Sequence, residues 1–244
     1  MQESYDNAGL IVGNESTKVS GVIISLDCTE AIVDEAIDKK CNLVIAHHPI
    51  VFKGLKRFNG SNYRERTIIK AIKNDIAIFA IHTNLDNVRY KGVNTKIANR
   101  LGLINCQILD PKDDEGLVGA GMLGALPKPI GFDGLLKLVK EKMDLRTFKY
   151  TRAVKPEVQS IAVCGGSGSF LLHKAIAAKA DVFITSDFKY HEFFDANDQI
   201  VIIDIGHYQS ERFTIDLLYD LISDKFSTFA AHCTKINTNP VKYF

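Results

Sequence analysis

One arrangement of apolar runs and polar clusters is written twice along this 244-residue chain. The first copy spans residues 21–86. Gly21-Val22-Ile23-Ile24-Ser25-Leu26 is a β-branched run suited to a strand buried on both faces. Asp27 or Thr29 then caps a helix, with Glu30 three residues after Asp27 as in a capping box. A second run, Asn42 to Ala46, ends in His47-His48-Pro49, and a third, Ile76 to Ile81, ends in His82-Thr83-Asn84-Leu85-Asp86. The second copy spans 160–211, where the run Ser160–Cys164 meets a Gly/Ser turn and a helix. Its next runs, Asp181–Thr185 and Ile200–Ile205, end in Ser186 to His191 and Gly206 to Glu211. Strand–helix–strand order implies parallel strands and right-handed crossovers. The expected fold class is α/β: two duplicated strand–helix–strand repeats with mixed, mostly parallel sheets. The halves are expected at 1–109 and 119–244, joined by an acidic connector at 110–118, together forming one compact unit. Pro127-Lys128-Pro129 is expected to end a strand that begins at Gly119.

Composition narrows the function. Thirty basic and 29 acidic side chains leave almost no net field, against the strongly basic footprint of a nucleic-acid binder. No apolar run approaches the ~20 residues that cross a bilayer. Five cysteines, odd in number and without a C-x-x-C pair, fit reduced thiols and a cytoplasmic location. A metal would therefore rest on histidine and carboxylate. The chain enters its first apolar segment with no opening helix, so an N-terminal element is expected to be missing.

Ligands of open parallel sheets lie beyond the carboxyl ends of strands, where all four polar clusters fall. His207 and Glu211 stand four apart at a helix entrance and share a face. With His47, His48 and Asp86 they make three imidazoles and two carboxylates. Five ligands exceed a closed tetrahedral zinc site and suit two metals with open positions. Glu211 is the candidate bridge, His48 and Asp86 complete one metal, and His47 and His207 the other. Singly, Asp86 reads equally as a turn residue and Glu211 as a partner of the helix dipole. His82, His173 and His232 read as hydrogen-bonded structural histidines. His191 is the candidate catalytic proton carrier, with support of a ligand as its alternative. The basic stretch 53–66 reads as a solvated loop or as a rim for an anionic substrate. Gly165 to Ser169 reads as a tight turn, with phosphate contact as the minority option.

Five motifs carry a resemblance: Glu3 through Gly13, Ala46-His47-His48-Pro49, His82 through Asp86, Ser186 through His191, and Asp204 through Glu211. In their order they resemble the NGG-interacting-factor-3-like family, often labelled GTP cyclohydrolase I type 2 homologues and typified by YbgI-type proteins. The resemblance implies two divalent metal ions (Zn, Fe, Mn or Co) at the five positions and a homohexameric ring. It also implies that the two α/β repeats are intertwined, and that longer relatives carry an extra domain where this chain has only its connector. The leading expectation is a metal-dependent hydrolase acting on a small, nucleotide-like molecule, for instance opening the purine ring of GTP by a metal-activated water. The alternatives are a non-enzymatic metal-stabilised scaffold or regulatory ring, and a metal-dependent phosphoesterase.

Overall fold

The computed structural model describes residues 1–244. The chain forms β1 (Gly9–Val12), β2 (Gly21–Ser25), α1 (Glu30–Asp38), β3 (Leu43–Ala46), α2 (Tyr63–Lys73), β4 (Ala77–Ala80), α3 (Thr83–Asp86) and α4 (Val93–Leu101). It continues through β5 (Ile104–Pro111), β6 (Gly119–Gly131), α5 (Phe132–Lys142), β7 (Lys149–Tyr150), β8 (Glu157–Ser167), α6 (Leu172–Ala177) and β9 (Val182–Ser186). It ends with β10 (Val201–Asp204), α7 (His207–Glu211), α8 (Thr214–Lys225) and β11 (Ala230–Cys233). Two mixed sheets carry the α/β fold, ordered β1-β4-β3-β2-β11 and β5-β6-β8-β9-β10-β7.

The chain divides into two compact units. One holds residues 2–85 and 214–240, and the other holds 86–213 with Met1 and the last four residues. The expected division at 110–118 is therefore displaced. Two pairings cause this: β11 joins the parallel ladder of β2, and β5 pairs antiparallel with β6.

In the unit of 2–85 and 214–240, β2, β3, β4 and β11 are parallel, and β1 closes the edge antiparallel to β4. Every residue of β2 is buried, as its uninterrupted apolar run requires of an inner strand. Ile23, Ile32, Val33, Val44 and Ile78 sit in its core. Thr29, not Asp27, occupies the N-cap of α1. Asp27 is engaged elsewhere, with His48 and Thr238.

The other sheet is less parallel than expected. Only β8-β9 and β9-β10 run parallel, while β5-β6, β6-β8 and β7-β10 run antiparallel. Pro127 and Pro129 do not end β6. Its pairing with β8 shifts register between Ala125 and Ile130, so the residues without an N–H donor fall in the irregular stretch. Ala162, Phe183, Leu171 and Ile202 form the core beside β8–β10.

Candidate metal-ligand sets

The parallel strands β3 and β4 end side by side, and three imidazoles gather beyond them. His47 follows β3 and is fully buried, and His48 is next to it. His82 stands two residues past β4. The rings are 5.0–5.6 Å apart between centroids, and one nitrogen from each lies within 4.8 Å of the others.

All three are oriented through Nδ1. His47 Nδ1–H donates to the Ile81 carbonyl at 2.8 Å. A carbonyl only accepts, so the proton is fixed on Nδ1 and Nε2 is left with its lone pair. His48 Nδ1 reaches Asp27 Oδ1 and His82 Nδ1 reaches Asp6 Oδ1, each at 2.8 Å. An acceptor behind each ring is the usual support of a metal-ligating histidine. Sequence reasoning gave His82 only a structural role. It is hydrogen-bonded as expected, yet it belongs to this cluster. The missed signal was its position: like His47, it follows a parallel inner strand.

The unit of residues 86–213 builds a different set. α7 starts at His207 directly after β10, and one helical turn brings Glu211 back toward it. His207 Nε2 lies 3.0 Å from Glu211 Oε2, and its Nδ1 lies 2.7 Å from Asp187 Oδ2. Burial alone would lower the His207 pKa, but the two carboxylates outweigh it and push the ring up to about 11. Its hydrogen bond to His207 in turn holds the Asp187 carboxyl below its usual range. Asp187 has a backbone φ of 62°, a left-handed turn that Asp tolerates. The Asp86 and Glu211 carboxylates approach within 4.8 Å of each other. Both add to burial in pushing the Cys164 thiol upward.

Glycine makes the space for Glu211. Gly166 sits in β8 at φ +65°, where the pairing with β9 shifts register. A Cβ there would run into the Glu211 carboxylate and come within 3.4 Å of His207 Cε1. The amide N–H of Gly166 donates to Ser210 Oγ at 2.9 Å, which fixes the strand against the turn that carries Glu211. The run Gly165 to Ser169 is thus a strand bulge and the start of a short helical turn, shaped around a carboxylate. His191 is a member of neither set. It is exposed, edge-on to Tyr190 and stacked on Phe194 at 6.4 Å.

The fold and donors define a class: an α/β protein with oriented imidazoles and carboxylates at the carboxyl ends of inner strands. The sequence profile of the Duf34/NIF3 (NGG1p interacting factor 3) family matches residues 1–240, and the chain belongs to that family. A Clostridium acetobutylicum protein named GTP cyclohydrolase 1 type 2 homolog is 35% identical over 214 residues, covering 86% of this chain and 79% of that protein. A Campylobacter jejuni protein of the same name is 32% identical, covering 100% of this chain and 93% of its own. Among solved structures, a Staphylococcus aureus hypothetical protein superposes with a TM-score of 0.91 at 30% identity, covering 99% and 93% of the two chains.

Proposed function

We propose that the protein is a metal-dependent hydrolase of small, nucleotide-like molecules, with two divalent metal ions ligated by His47, His48, Asp86, His207 and Glu211. One observation carries the reading. Each of these imidazoles is held through Nδ1 by a carbonyl or carboxylate, so Nε2 is the nitrogen presented. His82 is held the same way, so this anchoring marks an imidazole as able to ligate and the order of the motifs selects among them. The donor set fits the ions: borderline nitrogen and hard oxygen ligands suit Zn, Fe, Mn or Co alike, and no thiolate competes. Joining all five in one centre is supported by the order of the motifs and by family membership.

Bound metal would acidify a water and offset charge developing on the substrate. The chain's own groups set the conditions for that chemistry. Asp27 and Asp187 fix ring orientation, and the bulge at Gly166 keeps room for Glu211. Two ligand carboxylates against two dications leave positive charge in excess, which favours an anionic substrate. His191, exposed and outside both ligand sets, is proposed to carry protons to solvent rather than to bind metal. The names of the relatives supply GTP as the first candidate to assay. The proposal includes a homohexameric ring, testable by light scattering as six times the 27.1 kDa chain mass. It also includes a cytoplasmic location, in keeping with five free cysteines. No helix is long and apolar enough to cross a membrane.

Elemental analysis of the purified protein, with an anomalous map at the metal edge, tests the centre. Two metals per chain beside the five residues are expected. Absence of metal from protein purified without chelator would end the proposal. Metal-loaded protein assayed against GTP and a panel of phosphoesters separates ring opening from phosphoester cleavage.

A further inference from the structure

Beside the imidazole cluster stands a ladder of aromatic rings that ligation does not require. Phe52 meets the His82 ring edge-on at 5.5 Å, and Tyr5 stacks on Phe52 at 6.4 Å with 23° between planes. Neither ring serves a core, since Phe52 is 43% and Tyr5 64% exposed. The backbone nevertheless invests several hydrogen bonds in their placement. Asn7 Nδ2 donates to the Val51 carbonyl at 2.6 Å, tying the N-terminal segment to the loop that carries Phe52. Asp6 accepts from the Thr83 amide and hydroxyl while holding His82, and the Glu3 amide donates to Thr83 Oγ1 at 2.9 Å. Two segments about forty-five residues apart are thereby pinned so that their rings line up next to His82. The same loop carries Lys53, Lys56 and Arg57, all exposed and none in an ion pair within the protein.

We propose that Tyr5 and Phe52 form a stacking platform for the planar base of a nucleotide, and that Lys53, Lys56 and Arg57 receive its phosphates. This rests on the small-molecule hydrolase reading and assigns its substrate class and specificity residues. An exposed aromatic face is a sequence-tolerant receptor for a base, and loose cations beside it match the charge of the phosphate tail. The bland alternative is a loop packed for its own sake. It predicts no dependence of ligand binding on ring character at position 52.

Calorimetric titration of the full-length protein with GMP, ribose 5-phosphate and pyrophosphate distinguishes the two. GMP should bind more tightly than ribose 5-phosphate. Phe52→Leu should weaken GMP by roughly 5- to 150-fold, the range of one lost base stack, while pyrophosphate affinity is unchanged. Phe52→Tyr, which keeps a ring, should restore most of it and rules out misfolding as the cause. Replacing Lys53, Lys56 and Arg57 together by Ala should weaken all three probes and flatten the salt dependence. Equal losses for GMP and pyrophosphate on Phe52→Leu, or wild-type protein binding GMP no better than ribose 5-phosphate, would overturn the proposal. Metal content measured on the same samples keeps the two ideas apart. Metal-free protein with a Phe52-dependent base preference ends the hydrolase reading alone; metal-loaded protein without that preference ends this one alone.

Discussion

The two compact units solve the problem of orienting donors in opposite ways. The unit of residues 2–85 and 214–240 gathers imidazoles, His47, His48 and His82, each anchored from behind by a separate acceptor. The unit of residues 86–213 sets two carboxylates, Asp187 and Glu211, around one strongly proton-binding histidine, with the Asp86 carboxylate near Glu211. Neutral nitrogens bind a cation without changing the charge of the site. Carboxylates supply the countercharge but repel each other until something positive lies among them. If the two sets share a function, the carboxylates should dominate affinity and the imidazoles should tune it.

The largest effect should follow from removing a ligand. Glu211→Gln should lower metal affinity by more than the ~10–100-fold typical of an orienting residue, because it deletes a charge as well as a donor. His47→Gln should also lose metal, but less steeply. His82→Gln should keep two metals per chain. If it loses one, His82 is a sixth ligand and the imidazole unit binds metal on its own terms. Elemental analysis after dialysis reads all three.

Orienting carboxylates come next. Asp187→Asn and Asp27→Asn should each weaken binding by roughly 10–100-fold with the fold intact, since Asn keeps the shape and loses the strong acceptor. Competition with a chromophoric chelator measures both. A loss only at Asp187 would mean that charge, not ring orientation, is what that position contributes.

Gly166→Ala tests the bulge that makes room for Glu211. A side chain at φ +65° beside Glu211 should cost about 1–2 kcal/mol of stability and displace the carboxylate. Denaturant titration reads the first effect and metal content the second. Loss of stability with metal affinity unchanged would show that the bulge is only a turn.

Much of this contrast was legible in the residues. β2, β3, β4, β9 and β10 are short apolar runs and β8 contains one, and their polar ends mark where donors collect. The local signal misplaced what distant partners decide. Asp27 looks like a helix cap but serves His48 and Thr238, 21 and 211 residues away. Asp6 gives no local hint that it will hold His82. The division between units escaped because β11 has no sequence mark naming β2 as its neighbour. Pro127 and Pro129 end a strand by local rules, whereas a register shift lets β6 pass them. The basic loop and Tyr5 were visible as composition; only the fold puts Phe52 against His82 and Tyr5 on Phe52.

The smallest effects ask whether the units stand or fall together. In each, a mostly buried carboxylate serves as a clamp. Asp181 accepts from the amides of Gln159 and Ser160 at 2.7 and 2.9 Å and pairs with Lys155, locking β8 to the turn before β9. Glu35 accepts from Lys39 and from Thr234, locking α1 to the end of β11. In both, burial raises the pKa and the hydrogen bonds more than reverse it, leaving the carboxyl below its usual range. A lowered folded-state pKa contributes stability that is present above the unfolded value of about 4 and lost as pH falls through the folded one. Asp181→Asn and Glu35→Gln should therefore each cost about 1 kcal/mol at neutral pH and flatten the acid limb of the stability curve below about pH 4. If the units unfold independently, each substitution should move one thermal transition and leave the other in place. If they unfold as one, both should shift a single transition by similar amounts. A change confined to the same one of two transitions for both variants would contradict the division itself, because Glu35 lies in the unit of 2–85 and 214–240 and Asp181 in the unit of 86–213.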